Sequence, residues 1–133
     1  MDFLKFICDR AASKKAPSVV FCDADAETVT LAAKKAMDLG IVKPILLGHR
    51  DIITGLGVDI DGMEIIDITE QGAKAEEYAK KYEERGDLPA EVVLPYIQEP
   101  VGFGCEMVAE GDADAFFGGF MYPTEDIINC ANL

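Results

Sequence analysis

Apolar side chains recur along this chain in two alternating rhythms. Phe3, Leu4, Phe6, Ile7 and Ala11 return at helical spacing and predict a first helix over about residues 2–13, ended by Pro17 and Ser18. Val19–Cys22 is a short continuous apolar run of strand type. Val29, Ala32, Ala33, Ala36 and Met37 form the buried stripe of a second helix, with Asp25 as its predicted cap and Gly40 past its last turn. Ile45–Leu47 predicts a second strand closed by Gly48, Asp51–Leu56 a short helix, and Met63–Ile66 a third strand. Gln71–Arg85 is strongly amphipathic, with Ala75, Tyr78, Ala79 and Tyr82 on one face and Glu/Lys pairs on the other. Helices are predicted over Pro89–Ile97 and Gly102–Ala109, then a strand Ala115–Phe117 running into Gly118-Gly119, and a last helix starting at Thr124.

Strands that are apolar throughout, alternating with helices, belong to a parallel sheet covered on both faces. The expected fold is therefore α/β, a three-layer α/β/α sandwich with a mostly parallel sheet of about five strands and right-handed crossovers. Its 133 residues suit one domain.

Charge narrows the function. The net charge is −13, and residues 86–133 hold nine acids and no Lys, Arg or His, so −9 of it sits in the last third. Nucleic acid and anionic membrane surfaces are poor partners for such a chain. The four cysteines, Cys8, Cys22, Cys105 and Cys130, form no C-x-x-C pair and no Cys/His cluster, so free thiols, a cytoplasmic location and no metal site are expected. No apolar run approaches the roughly 20 residues of a membrane span.

Three stretches carry a family resemblance. The first is Val19-Val20-Phe21-Cys22-Asp23-Ala24-Asp25 leading into the Ala-rich helix. The second is Gly40-Ile41-Val42-Lys43-Pro44-Ile45-Leu46-Leu47-Gly48, followed by Gly57–Gly62 and Glu64-Ile65-Ile66-Asp67. The third is Gly111-Asp112-Ala113-Asp114-Ala115, then Gly118-Gly119, then Thr124. In this order they resemble the front portion of the phosphate acetyl/butyryltransferases, the phosphotransacetylases, over nearly the whole chain. The resemblance implies the first of two domains, with the active site in the cleft between them and the second domain absent here. It implies acyl transfer between coenzyme A and phosphate, with coenzyme A as substrate rather than cofactor.

Gly118 and Gly119 leave backbone open to approach, and Thr124 offers a hydroxyl near unpaired helix N–H groups, the usual construction of an anion site; a tight turn with a capping threonine is the plainer reading. The family carries serines where this chain has Gly118 and Pro123, and Arg-Pro where it has Asn129-Cys130. Gly118, Gly119, Thr124 and Asn129 are thus the expected substrate-binding positions, with an amide in place of a guanidinium. Cations must come from residues before 86 or from a partner. A homo-oligomer, or a hetero-oligomer with a chain supplying the second domain, is expected, with Met121, Tyr122, Ile127 and Ile128 on the shared surface; a non-catalytic binding or regulatory subunit is the alternative. His49, the sole histidine, reads as a polar turn residue, with a general base as the other option. Asp23 and Asp25 read as helix caps. A phosphoacceptor role for Asp67 lacks the late lysine such domains need.

Overall fold

The computed structural model describes residues 2–133. In chain order it contains α1 (Phe3–Ala12), β1 (Ser18–Phe21), α2 (Glu27–Asp38), β2 (Lys43–Gly48), α3 (Arg50–Gly55), β3 (Glu64–Asp67), a 3₁₀ turn (Ile68–Glu70), α4 (Gly72–Arg85), α5 (Ala90–Ile97), α6 (Pro100–Ala109), β4 (Ala115–Phe117) and α7 (Thr124–Ala131). The sheet runs β3-β2-β1-β4 with every pair parallel. Four strands form among the described residues rather than about five, the four apolar runs named above and no other.

Period-two alternation along each strand sends successive side chains to opposite faces. Val20, Cys22, Ile45 and Leu47 point to one side, into a core with Tyr78 and Tyr82 of α4, Val93 and Ile97 of α5 and Phe103 and Met107 of α6. Val19, Phe21 and Leu46 point to the other, against Val29 and Ala33 of α2 and Ile53 of α3. The result is the expected three-layer sandwich. Each fully buried aliphatic or aromatic side chain contributes roughly 1.5–3 kcal/mol, which is why the polar Tyr78 is accepted there. Its hydroxyl finds a partner by donating to Asp112.

Local signals account for most of the boundaries. At the end of α2, Gly40 takes φ +71°, and its N–H and that of Ile41 reach the Met37 and Ala36 carbonyls at 2.9 and 3.0 Å, the Schellman closure that glycine permits. The start of the same helix differs from expectation. Ala26 occupies the N-cap with no side-chain cap bond, and Thr30 replaces Ala32 on the buried stripe, its hydroxyl donating to the Ala24 carbonyl at 2.7 Å. Helix α1 buries none of its residues and leaves Phe3, Leu4, Phe6 and Ile7 exposed.

Two glycines set how closely α6 can pack. A Cβ on Gly104 would stand 2.6 Å from Cys22 Sγ, so its absence lets α6 lie directly against the end of β1. A Cβ on Gly102 would run into the Tyr96 carbonyl, whose carbon is only 2.6 Å away, so its absence closes the α5–α6 corner. Across the same face, Arg85 of α4 bonds Glu106 at 2.5 Å and Glu110 at 2.6 Å on and after α6. No helix among the described residues is long and apolar enough to cross a membrane.

Candidate functional site

The strand order reverses at β1, with β2 on one side and β4 on the other. In open parallel sheets, ligands bind beyond the carboxyl ends of the strands at such a reversal. Here that rim is made by residues 22–26 after β1, Gly48-His49 after β2, Asp67 ending β3, and residues 118–123 after β4.

Acids knit the rim together. Asp23 is buried, and its Oδ2 accepts the Phe120 N–H at 2.8 Å, pinning the glycine loop to the end of β1. Its Oδ1 has no hydrogen-bond partner among the described residues. Asp25 reaches the other way, its Oδ1 accepting the His49 N–H at 2.8 Å and its Oδ2 meeting His49 Nδ1 at 2.7 Å. Asp67 accepts N–H groups of Arg50 and Thr69 at 3.1 and 2.9 Å and the Thr69 hydroxyl at 2.6 Å. These bonds hold its carboxyl below the usual range, the Thr69 hydroxyl most of all. Asp23 and Asp25 are therefore not helix caps but ties from the β1–α2 turn to the loops on either side. An aspartate directly following a buried apolar strand was the signal for this, since only a bonded carboxylate can be buried there.

The expected site residues fall around the loop after β4 without sharing one cavity. Gly119 takes φ +110° with nothing within 4 Å of a would-be Cβ, whereas a Cβ at Gly118 would meet Phe116 at 3.2 Å and Ile127 at 3.3 Å. Gly118 and Gly119 line a cavity of about 320 Å³ on the α2 side, with Thr28, Val29 and Phe120. Asn129 is exposed and lines a separate cavity of about 380 Å³ between α5, α6 and α7, with Tyr96, Glu99, Tyr122 and Asp126. Thr124 is the first residue of α7 and is exposed, but Pro123 holds the cap position and no side chain caps the helix. The capping-threonine reading is thereby corrected. Met121 and Ile128 are exposed as expected, together with Phe117 and Phe120, while Tyr122 and Ile127 tuck against the core.

Among the ionisable groups of the rim, burial and the charges of Asp23 and Glu99 push the Tyr122 phenol up to about 12. Burial raises the thiols of Cys105, to about 11, and of Cys130, so neither is an activated nucleophile. The His49 imidazole is also raised, chiefly by its hydrogen bond to Asp25; burial opposes this, and the charges of Asp25, Asp67 and Glu99 add to it. A raised histidine binds its proton more tightly folded than unfolded. The pair therefore contributes stability that is fully present below the ordinary value of 6.5 and lost as pH rises through the folded value. Urea midpoints of the wild type and His49→Gln, compared from about pH 5 to about pH 9, should differ most at the acid end and converge at the alkaline end. A gap that widens with pH would contradict the pairing.

A parallel α/β sandwich with a glycine loop at the point of strand reversal is an architecture in which ligands bind beyond the strand ends. The chain belongs to the phosphate acetyl/butaryl transferase family, whose model matches residues 2–132. It is 32% identical to the phosphate acetyltransferase of Thermoanaerobacterium thermosaccharolyticum, covering 98% of this chain and 41% of that protein. It is likewise 32% identical to that of Acetivibrio thermocellus, covering 98% and 40%. The fold matches a phosphotransacetylase from Streptococcus pyogenes with a TM-score of 0.77 at 23% identity, covering 98% of this chain and 42% of that one. It also matches the EutD phosphotransacetylase from Staphylococcus aureus with a TM-score of 0.81 at 23% identity, covering 96% and 41%. The chain thus spans about two-fifths of the length of these relatives.

Proposed function

We propose that this chain supplies the phosphate-side half of a phosphate acyltransferase site, serving the reversible reaction of acyl-CoA and phosphate to acyl phosphate and coenzyme A. The reading rests above all on the ordered family match along residues 2–132. The glycine loop at the strand reversal, pinned by Asp23, gives it a place to act. Gly119 presents open backbone and Thr124 a free hydroxyl to acyl-phosphate oxygens. Asn129 offers an amide to the same ligand. Coenzyme A enters as a substrate.

Charge is the difficulty such a site must overcome, because phosphoryl oxygens need preorganised cations or N–H donors. The fold brings His49 and Arg50 to the end of β2, and a second polypeptide in an oligomer supplies the rest. A non-catalytic binding subunit is the second reading. It is favoured by Asn129 opening onto a cavity whose ionisable rim, Glu99 and Asp126, is acidic.

Isothermal titration of coenzyme A and of acetyl phosphate into the chain, beside a direct assay of acetyl-CoA formation, tests both. Binding with turnover means that copies of this chain complete the site themselves, and binding without turnover marks a half-site that awaits its second polypeptide; both support the first reading. Binding of neither ligand would overturn the first reading and leave the non-catalytic subunit. Asn129→Arg should tighten acetyl phosphate about tenfold, since a hydrogen bond to a charged group contributes roughly 1.5–3 kcal/mol. Unchanged affinity would remove Asn129 from the site.

A further inference from the structure

Residues 86–133 contain no cation, and one cavity in that part of the fold is lined accordingly. The cavity between α5, α6 and α7 encloses about 380 Å³, room for a small organic ligand. Tyr96, Tyr122 and Val101 give it an apolar lining, and its polar groups are the Glu99 and Asp126 carboxylates and the Asn129 amide. Elsewhere carboxylates are answered by cations: Asp9 by Lys5, Asp38 by Lys34, Glu77 by Lys74 and Lys81, and Glu106 by Arg85. Among the described residues, neither Glu99 nor Asp126 has an ion-pair partner. The charge of Glu99 reaches His49, but that ring is already engaged by Asp25 at 2.7 Å.

We propose that this cavity binds a small alkylammonium cation, its hydrocarbon body against Tyr96 and Tyr122 and its charged head toward Glu99, Asp126 and the Asn129 side-chain oxygen. The proposal deepens the reading of a non-catalytic binding subunit and rests on it, because Asn129 then faces a cation in place of an acyl phosphate.

Aromatic rings and carboxylates both favour positive charge here. The face of a tyrosine ring attracts a cation through its quadrupole, and two tyrosines line the cavity. Carboxylates set in a concave, partly apolar wall concentrate their field in the space they enclose. Asp23 adds to that field from a buried position: it is 1% exposed, and its Oδ1 has no hydrogen-bond partner among the described residues. The field is felt at Tyr122, whose phenol is held up at about 12 by burial first and then by the charges of Asp23 and Glu99. An alkylammonium ion matches the balance of the lining. Its hydrocarbon part leaves water for the tyrosine rings and Val101, while its N–H groups donate to carboxylate and amide oxygens. An anion in the same space would meet two carboxylates, with only the Asn129 NH₂ to offset them.

Probes that share one hydrocarbon body separate charge from shape: n-butylammonium, butanol and butyrate, each titrated into the 133-residue chain and followed by its backbone amide NMR signals. n-Butylammonium should shift Tyr96, Glu99, Tyr122 and Asn129 together and saturate, with butanol at least about tenfold weaker and butyrate without effect. Asp126→Asn, at an exposed position of α7, should weaken n-butylammonium about tenfold with little change in Tm. Tyr122→Leu should weaken it about threefold by removing an aromatic face. Asn129→Arg should abolish it by placing a guanidinium in the cavity. Equal affinity for butanol would reduce the cavity to an apolar cleft and overturn the proposal. Shifts spread equally over exposed acids such as Glu76 and Glu84 of α4 would show a diffuse counterion cloud and overturn it as well. Coenzyme A and acetyl phosphate belong in the same series. If either binds at Asn129, the non-catalytic reading falls and takes the cation site with it. If neither binds and n-butylammonium is also silent, that reading stands and the cation site alone is lost.

Discussion

Gly102→Ala is expected to destabilise the protein by about 3 kcal/mol or more, lowering Tm by roughly 10 °C. The added methyl would meet backbone, not a flexible side chain: the Tyr96 carbonyl carbon at 2.6 Å and the Ile97 nitrogen at 3.1 Å. Neither can step aside without opening the corner between α5 and α6. Behind that corner sit Ile97, Val101 and Phe103, all buried in the core that covers one face of the sheet. In an exposed helix the same exchange would stabilise by up to about 1 kcal/mol, so the sign alone separates the two situations. Gly55→Ala, in α3 with open space around it, is the matched control and should be neutral or stabilising. Thermal and urea unfolding of both variants measure the contrast. A Gly102→Ala protein as stable as wild type would mean the corner is looser than described.

Arg85→Met is expected to cost about 2–3 kcal/mol, far more than loss of an ordinary surface ion pair. Arg85 is itself 37% exposed, but the Glu106 side chain it meets at 2.5 Å is only 7% exposed. Methionine keeps the apolar stem beside Tyr82, so packing is largely retained. What remains is a buried carboxylate with its main partner gone, and Glu110 loses its 2.6 Å contact as well. Leaving one charge of a sheltered pair uncompensated is more costly than removing both. The double variant Arg85→Met/Glu106→Gln should therefore recover part of the loss in urea denaturation. If the double variant is no better than the single one, the loss lies in packing rather than charge.

Much of the architecture was legible without coordinates. The apolar runs around Val20 and Leu46 identified the two central strands, because a strand buried on both sides needs apolar side chains in both alternating directions, and Ile65 and Ala115–Phe117 marked the less buried edge strands. Helix α4 was legible from Ala75, Tyr78, Ala79 and Tyr82, all of which are buried. The end of α2 was legible from Gly40, because few residues accept its positive φ. In each case the determinant is local, a periodicity or a single backbone conformation.

The site was legible only in part. The glycine pair and Thr124 could be placed at a strand–helix junction, but not their division between two faces of the loop. Asp23 and Asp25 suggested caps because a sequence shows only neighbours along the chain. Their real partners, Phe120 and His49, lie 97 and 24 residues away.

The sequence by itself thus determined the elements, the parallel sandwich they form and the acidic bias of the last third. Periodicity, turn chemistry and charge are properties of the chain alone. Only the tertiary structure decided the strand order β3-β2-β1-β4, and with it which loops meet at the reversal. That order brings the β1–α2 turn between the other two loops, so one acid pins the glycine loop and the other orients the sole histidine. Hydrogen bonds of that kind depend on angstrom-scale proximity across the sheet, which no pattern along the chain encodes.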